Sequence, residues 1–307
     1  MKILITGGAG FIGSQVADAL VVGGHNVYIL DNLSTGYEKN INPKMQFLKY
    51  DIGDSKIMNI FEKEKFEIVN HHAAQIDVRK SVNDPIFDAN INILGTINLL
   101  QCCIKTGVKK FMFASSGGAV YGEQEYFPAD ENHPTNPVSP YGITKLTIEK
   151  YLFYYKNEYG LNYTILRYAN VYGPRQNPSG EAGVVAIFTN KLLKNENPII
   201  NGDGKQTRDY VFVEDVVNAN VLALGKTTPT IYNVGTTKET DVNYIFQRIN
   251  KFAGTTFEEK HGPAKKGEQK RSVLSYEKLS SELGWKPKTD IETGLKVTTE
   301  YFKNNKR

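Results

Sequence analysis

The chain has little of several features that mark other classes of protein. Its 307 residues include only two cysteines, Cys102 and Cys103, which are adjacent and so poorly placed to pair or to build a metal site. No apolar run approaches the roughly 18 residues that a membrane span needs. The first residues lack the basic segment, apolar stretch and cleavage site of an export signal. We therefore expect a cytoplasmic protein with reduced cysteines, no metal and no membrane association.

Strong charge is also missing. The formal net charge is +4, and no basic stripe interleaved with aromatic residues indicates nucleic-acid binding. A late basic cluster has two interpretations, a diphosphate site or a solvated surface loop; it comprises Lys260, Lys265, Lys266, Lys270 and Arg271. A small anionic ligand explains the charge as well as any other partner. What remains is an ordinary globular composition, with 40% hydrophobic and 23% charged residues.

The first half of the chain alternates short apolar runs with helical stretches. Strands are predicted at Lys2–Thr6, Asn26–Leu30, Gln46–Tyr50, Ile68–Ala73, Lys110–Ala114 and Tyr163–Arg167, and helices at Gly10–Gly23, Ile57–Lys63, Asn90–Lys105 and Ser139–Tyr159. Such alternation is typical of βαβ units with right-handed crossovers. It predicts an α/β fold with a doubly wound (Rossmann) parallel sheet.

The alternation breaks after Arg167 in a turn-rich stretch, residues 173–180. Helices are expected near Val184–Asn195 and Asp215–Leu224, and a strand at Thr230–Asn233 that returns to the sheet. We therefore predict a first domain over residues 1–173, joined by part of 205–235. A smaller, interleaved α/β domain would comprise residues 174–204 and 236–307.

Glycines at positions 7, 10 and 13 lie between the first predicted strand and helix. Such a turn must be tight, must let the backbone approach a pyrophosphate, and must let the helix pack closely on the strand. The helix N-terminus, with Phe11 and Ile12, offers unpaired N–H groups and the positive end of a dipole to phosphates. Gly7, Gly10 and Gly13 therefore predict a nucleotide cofactor.

Asp31 closes the second predicted strand, where an acid accepts hydrogen bonds from the adenosine ribose hydroxyls. Its charge repels a 2′-phosphate, and Asn32-Leu33-Ser34-Thr35 supplies no arginine, which favours NAD over NADP. Asp51 and Ile52 end the third predicted strand and either meet the adenine or cap the strand. Ala73 and Ala74 end the fourth, where small side chains serve either the dinucleotide or helix packing.

Tyr141 and Lys145 begin a helix that Ser139 caps and Pro140 starts, and a spacing of four places them on one face. A phenol is a poor base at neutral pH, so it needs cationic neighbours to favour phenolate. Lys145 and an oxidised nicotinamide would supply them. Ser115 and Ser116 follow the fifth predicted strand at the ligand-binding edge of the sheet, where a hydroxyl shares a hydrogen bond with the tyrosine or merely ends the strand.

Six segments together resemble the extended short-chain dehydrogenases/reductases, the NAD-dependent epimerases and dehydratases, and most closely the branch of the UDP-glucose 4-epimerases. They are Thr6–Gly13, His72–Gln75, Ser115–Gly122, Pro140–Lys145, Arg167–Pro174 and Gly202–Val211. The resemblance implies NAD as cofactor and Ser116, Tyr141 and Lys145 as the catalytic residues; Ser116 is preferred to Ser115 by its spacing from Tyr141. Further cofactor contacts are implied at Asn32, Gln75 and Asn92.

The resemblance also implies a nucleoside-diphosphate sugar, a UDP-hexose, as substrate. Arg208 is expected to fork onto the diphosphate, with Asn170 beside it. Lys265 stands where the family has a second arginine. The lysine keeps the positive charge but cannot make the bidentate contact of a guanidinium. Glu268 is expected at the nucleotide ribose, and Ile199–Asn201 along the base. Ser272 aligns with a residue that gates the sugar pocket; its small size predicts that N-acetylhexosamines are accepted.

The implied reaction is removal of the 4-hydroxyl proton by Tyr141 and reversible hydride transfer from sugar C4 to NAD. Gly117-Gly118 replaces the Asp-Glu that dehydratases carry after the catalytic hydroxyl, which favours simple epimerisation. A UDP-glucuronate 4-epimerase, another nucleotide-sugar oxidoreductase that releases NADH, and a non-catalytic NAD sensor remain as alternatives. Helices 90–105 and 139–159 are expected to form the four-helix interface of a homodimer.

Overall fold

Strands and helices alternate through residues 1–178, 183–264 and 269–305, the part of the chain that the computed structural model describes. The strands are β1 (Lys2–Thr6), β2 (Asn26–Leu30), β3 (Gln46–Leu48), β4 (Ile68–His71), β5 (Lys110–Ser116), β6 (Asn162–Tyr168), β7 (Asn170–Tyr172), β8 (Ile199–Asn201), β9 (Thr207–Arg208), β10 (Tyr210–Phe212), β11 (Thr230–Val234), β12 (Thr240–Asp241) and β13 (Lys260–Gly262). The helices are α1 (Phe11–Val22), α2 (Ile57–Glu64), α3 (Val78–Asn83), α4 (Pro85–Ala89), α5 (Thr96–Thr106), α6 (Gly117–Val120), α7 (Pro140–Tyr159), α8 (Val184–Leu193), α9 (Val213–Leu224), α10 (Val242–Ala253), α11 (Glu277–Leu283) and α12 (Ile291–Asn304). Short 3-10 and π-helical segments occupy Glu38–Asn40 and Asn90–Gly95.

Seven strands form one parallel sheet in the order β11-β6-β5-β4-β1-β2-β3. The predicted doubly wound α/β fold is therefore confirmed. The strand order reverses between β1 and β4, so the connections leave these two strands in opposite directions. A crevice opens at their carboxyl ends, the place where such sheets bind ligands.

Helices cover both faces of this sheet, which explains why its strands are continuous apolar runs. In β1, Ile3 and Ile5 belong to the core cluster that contains residues of α1 and α9. Leu4 points to the other cluster, built with α2, α5 and α7. The sheet is thus fixed from both sides, and its C-terminal edge is a rigid platform.

The remaining strands have only two or three residues and lie outside the main sheet. Three two-stranded sheets pair β7 with β10, β9 with β12 and β8 with β13. A third core cluster, with Phe188, Ile245 and Leu295, joins α8, α10 and α12. The strand β11 returns to the main sheet beside β6, and α9 packs on α1. The chain therefore passes between the large sheet and the smaller elements more than once.

Some predicted boundaries are wrong. The strand β3 ends at Leu48, before Asp51 and Ile52, and β4 ends at His71, before Ala73. The N–H of Ala73 turns to the side chain of Thr6 (3.3 Å) and so leaves the strand ladder. In contrast β5 continues to Ser116, because Ser115 and Ser116 pair with β6 in register.

The helix predicted over residues 90–105 is also not uniform. Its first six residues, Asn90–Gly95, are π-helical, and α-helical geometry begins at Thr96. π-helical insertions of this kind occur at functional sites, and Asn92 lies in this one. Within the described residues, none of the helices combines the length and the apolar character that crossing a bilayer requires.

Candidate active site

The glycine-rich turn after β1 is shaped by contacts that exclude side chains. Gly7 has φ of +67°, and a Cβ atom there would lie 2.6 Å from the backbone nitrogen of Ala73. A Cβ atom at Gly13 would lie 2.4 Å from the carbonyl oxygen of Gly7. Gly7 thus allows the end of β4 to come close, and Gly13 allows α1 to pack on the turn. Two of the three sequence-based reasons for glycine, the tight turn and the close helix packing, therefore hold, and the approach to a pyrophosphate stays a prediction.

The N-terminus of α1 opens from this turn without a capping side chain at Gly10. The N–H groups of its first turn, which include Phe11 and Ile12, have no partner within the helix. Asp31 follows β2 beside them, and its carboxylate accepts from the N–H groups of Ala9 (3.0 Å) and Leu33 (2.8 Å). Burial raises the pKa of Asp31, and these two hydrogen bonds oppose the rise. Asp31 therefore both fixes the glycine turn and retains oxygen lone pairs for a ribose.

Two residues near the predicted adenine end, Asn32 and Asp51, are more exposed to solvent than Asp31. The Nδ2 group of Asn32 donates to the carboxylate of Asp51 (2.8 Å), whose other oxygen accepts from the N–H of Gly53 (2.8 Å). Ile52 beside them is buried. The strand-capping interpretation of Asp51 is replaced by a side-chain pair that joins the loops after β2 and β3. These residues lie together at the sheet edge next to Asp31, as a cofactor site requires.

Gln75 and Asn92 form a reciprocal pair at the end of β4. The Oδ1 atom of Asn92 accepts from the backbone N–H of Gln75 (2.8 Å), and its Nδ2 donates back to the Gln75 carbonyl (2.9 Å). Both side chains also donate to Oδ1 of Asp88, from Gln75 Nε2 (2.8 Å) and Asn92 Nδ2 (3.0 Å). Ala73 and Ala74 precede this pair. Asp88 gave no recognisable signal in the sequence.

Lys145 lies 5% exposed at the first turns of α7. Its ammonium group donates to the carbonyl of Ala114 in β5 (2.9 Å) and lies 5.7 Å from the ring centre of Tyr141. Burial lowers the pKa of Lys145 to about 8, against the opposing charges of Asp88 and Glu149. The predicted tyrosine-lysine face is thus formed.

Ser116, at the end of β5, lies close enough to Tyr141 to influence the pKa of its phenol. Burial raises the pKa of Tyr141 well above its usual range, the charge of Asp88 raises it further, and Ser116 lowers it. Lys145 by itself therefore does not make the phenol acidic. The expectation that Lys145 and a cationic nicotinamide together favour phenolate remains a prediction for the loaded enzyme.

Ser115, the alternative serine, is committed elsewhere. Its hydroxyl donates to Glu149 (2.7 Å), one helical turn after Lys145, and Glu149 is held by two hydrogen bonds from Arg167 in β6 (3.0 and 2.6 Å). Arg167 also donates to the hydroxyl of Tyr121 (2.8 Å). The ion pair ties α7 to β6, and the Ser115 hydrogen bond ties α7 to β5. Sequence reasoning missed the pair, because Glu149 belongs to no motif and Arg167 was quoted only as part of one.

The predicted substrate residues meet around Asp209. Its backbone N–H donates to the carbonyl of Ser272 and its carbonyl accepts from the N–H of Asn170, both at 2.9 Å, and Arg208 directly precedes it. The buried carboxylate accepts from the hydroxyl of Thr236 (2.6 Å), among other groups. Burial raises the pKa of Asp209 to about 6 against these hydrogen bonds. Sequence reasoning quoted Asp209 only as part of a motif and missed this role.

Arg208 is half-buried and donates from Nη1 to the carbonyl of Thr207 (2.8 Å). Ser272 is 3% exposed, and its hydroxyl lies 3.8 Å from the position of a Cβ atom on Gly118, two residues after Ser116. The predicted gate residue therefore lies beside the segment that follows the predicted catalytic serine. A larger side chain at position 272 would enter the same space.

The structure says less about the remaining residues that were predicted to bind substrate. Lys265 and Glu268 lie outside the described residues, as does Lys266. Ile199–Asn201 forms β8 and pairs with β13, which contains Lys260. Arg271 forms an ion pair with Glu239, so this part of the basic cluster is at least partly neutralised.

These residues fit a dinucleotide. The glycine-rich turn, the uncapped helix terminus and the buried Asp31 carboxylate adjoin one another, and NAD would be held by the turn at its pyrophosphate and by Asp31 at its adenosine ribose. Within the described residues, no ion pair brings an arginine or lysine to Asp31. No group of three or more metal-ligating side chains is found among the same residues.

Comparisons with known proteins identify the family of the chain. Residues 3–235 match the model of the NAD dependent epimerase/dehydratase family. A protein of Methanocaldococcus jannaschii named as a putative UDP-glucose 4-epimerase is 51% identical over 99% of both chains.

Two solved structures are similar in fold and sequence. A UDP-glucose 4-epimerase of Thermotoga maritima with UDP-glucose has a TM-score of 0.97 at 49% identity and 99% coverage of both chains. A UDP-glucose 4-epimerase of Thermus thermophilus in complex with NAD has a TM-score of 0.94 at 42% identity, covering 98% of this chain and 99% of that one. The prediction of an NAD-dependent enzyme is confirmed. The chain belongs to the NAD dependent epimerase/dehydratase family.

Proposed function

We propose that this enzyme interconverts UDP-hexoses that differ in configuration at C4, with UDP-glucose and UDP-galactose as the primary pair. One observation carries the proposal: Ser116, Tyr141 and Lys145 lie together at the carboxyl end of the same sheet as the proposed dinucleotide site. Relatives and solved structures that bear the name UDP-glucose 4-epimerase support the choice of reaction.

The chain's own residues handle the proton. Tyr141 takes the proton of the 4-hydroxyl and later returns one to the same oxygen, so it acts as base and then as acid. Ser116 shares its hydrogen bond between the phenol and the substrate oxygen. Lys145 stabilises the negative charge that develops on the phenol. NAD, when bound, supplies the acceptor and then the donor of the C4 hydride.

Epimerisation requires that the 4-keto sugar present its other face before the hydride returns. Arg208 and Asn170 are proposed to hold the diphosphate, so that the nucleotide stays fixed while the sugar turns. Ser272 leaves room at the sugar end and so favours acceptance of N-acetylhexosamines. The roles of Lys265 at the diphosphate and Glu268 at the nucleotide ribose are part of the same proposal.

Two other reactions of this fold are less well supported. The residues after Ser116 are Gly117 and Gly118, which offer neither the acid nor the base that dehydration needs. Epimerisation of UDP-glucuronate differs mainly in how the enzyme binds the sugar carboxylate. UDP-glucuronate is therefore the main alternative substrate. A net oxidoreductase would need to release NADH.

Incubation of the purified protein with UDP-galactose, without added reductant, tests the proposal. We expect enzyme that carries only its bound NAD to convert UDP-galactose to the gluco epimer, and NMR monitors the conversion. UDP-N-acetylgalactosamine and UDP-glucuronate, assayed in parallel, rank the sugars. Stoichiometric appearance of NADH, or turnover of UDP-glucuronate alone, would contradict it.

The proposal includes a homodimer. Exposed apolar side chains stand on the helices predicted to form its interface, at Leu94 (59% exposed), Ile143 (51%) and Phe153 (59%). Phe153→Glu should therefore convert the dimer to a monomer in light scattering. Val22→Glu, at an exposed position of α1, should not, and an unchanged mass of the Phe153 variant would contradict the interface.

The domain division and the location are also proposals. Residues 1–173 with part of 205–235 would bind NAD, and residues 174–204 and 236–307 would bind the sugar nucleotide. The return of β11 to the main sheet supports this division. Burial raises the pKa of both cysteine thiols, Cys102 and Cys103, which suits a reduced, cytoplasmic protein.

A further inference from the structure

Asp88 is a buried carboxylate that the proposed mechanism leaves without a role. It lies in α4 with no exposed surface, and α4 packs against the catalytic helix α7. Its Oδ1 atom accepts from two amide groups, those of Gln75 and Asn92. Its Oδ2 atom is buried and has no hydrogen-bond partner among the described residues. A buried carboxylate oxygen left without a partner is costly, so it needs a compensating interaction.

A chain of hydrogen bonds leads from Asp88 to the catalytic pair. The Nδ2 group of Asn92, which donates to Asp88, also lies 3.4 Å from the hydroxyl of Thr144. Thr144 is buried, directly precedes Lys145, and donates to the carbonyl of Tyr141 (2.9 Å). Asp88 is therefore linked to the backbone turn that carries both Tyr141 and Lys145.

The other groups around Lys145 carry no uncompensated negative charge. Glu149, on the same helix, is neutralised by Arg167 from β6 at 2.6 Å. His71 and His72, at the end of β4, are neutral at pH 7, because burial lowers the pKa of His72 to about 3 and that of His71 well below its usual range.

The two remaining neighbours are also uncharged. Tyr141 is protonated for the reason given above, and β5 contributes the carbonyl of Ala114 and the uncharged ring of Phe113, whose centre lies 4.8 Å from the ammonium group. Within the described residues, no lysine, arginine or histidine forms a direct ion pair with Asp88. Of the described groups near the Lys145 ammonium group, Asp88 is thus the one buried negative charge that another cation does not already balance.

We propose that Asp88 is a positioning residue, the buried counter-charge that keeps the Lys145 ammonium group protonated and so keeps the catalytic pair ready for substrate. The inference deepens the proposed function and rests on it for the role of Lys145. The same negative charge opposes early ionisation of Tyr141, so the phenol keeps its proton until a cationic nicotinamide is present. Opposite charges in a buried site influence each other strongly because little solvent screens them.

Asp88→Asn tests the charge without changing the shape of the side chain. The pKa of Lys145 is about 8 in the unsubstituted protein, and we expect it to fall by about one unit in the variant. The pKa is read in the apoprotein from the Cε resonance of ¹³C-labelled lysine, assigned with Lys145→Met. This measurement needs no turnover, so its failure is distinguishable from failure of the proposed reaction.

Catalysis gives a second readout. The alkaline limb of the kcat profile should move to lower pH by the same amount in Asp88→Asn, and Asp88→Glu should restore it. Asp84→Asn is the matched control: it removes the same charge from the exposed N-cap of α4, where asparagine also caps well. Asp88→Ala provides a second neutral variant should the amide disturb folding. An unshifted Lys145 pKa in a folded neutral variant, or an equal shift in the Asp84 control, would overturn the proposal.

Discussion

The large parallel sheet and the short strands beyond it build their parts of the site in different ways. At the sheet, the proposed catalytic side chains lie at the end of a strand or in the first turns of a helix. Buried partners fix these elements, as Glu149 of α7 holds both Ser115 of β5 and Arg167 of β6. Beyond the sheet, strands of two or three residues bring Asn170, Arg208 and Ser272 together through one residue, Asp209. We infer that the first region positions the groups that react and that the second region holds the substrate.

The contrast predicts different kinetic signatures for the two regions. Loss of a group at the sheet should lower kcat while the substrate still binds. Loss of a group beyond it should raise KM while the chemistry survives.

Tyr141→Phe should have the largest effect. It removes the proton acceptor and leaves the ring in place, so kcat should fall by about 10²- to 10⁴-fold. Bound NAD, measured by its release on denaturation, should be retained. Tyr151→Phe, on the same helix, is the control and should keep full activity. Substantial turnover by the Tyr141 variant would remove it as the base.

Arg208→Lys should have an intermediate effect on the other region. A lysine keeps the charge but makes no bidentate contact, so KM for the UDP-sugar should rise by about 10- to 100-fold, with kcat nearly unchanged. Arg248→Lys, at an exposed ion pair with Glu292, should leave both constants as they are. A fall in kcat alone would mean that Arg208 acts in the chemical step, which would contradict the proposed difference between the two regions.

Ser272→Tyr should have the smallest and most selective effect. A tyrosine would occupy the space beside Gly118, so activity on N-acetylated sugars should fall by roughly 10-fold more than activity on UDP-galactose. Ser272→Ala should leave the ratio of the two kcat/KM values unchanged. Equal losses on both sugars would show that the segment does not gate the pocket.

The sequence predicted the first region well because its signals are local. The glycines at 7, 10 and 13, and the spacing of Tyr141 and Lys145, each follow from one turn or one helix. Strand ends were harder, since β5 is prolonged by pairing with β6 and β4 is cut short by Thr6.

Residues that act through tertiary contacts gave no local signal in the sequence. Asp88 sits in a five-residue helix, and its partners come from the end of β4 and the π-helical segment. Asp209 acts through its backbone and through a buried carboxylate that holds turns distant in sequence. Their positions follow only from the packing of several elements at once.

The account's central claim is that the hydrogen on C4 leaves the sugar and returns to it within one site. UDP-galactose deuterated at C4, incubated with enzyme and unlabelled NADH in solution, tests this directly by NMR of the product. The account predicts UDP-glucose that retains deuterium at C4. Loss of the label to solvent or to the added cofactor would contradict it.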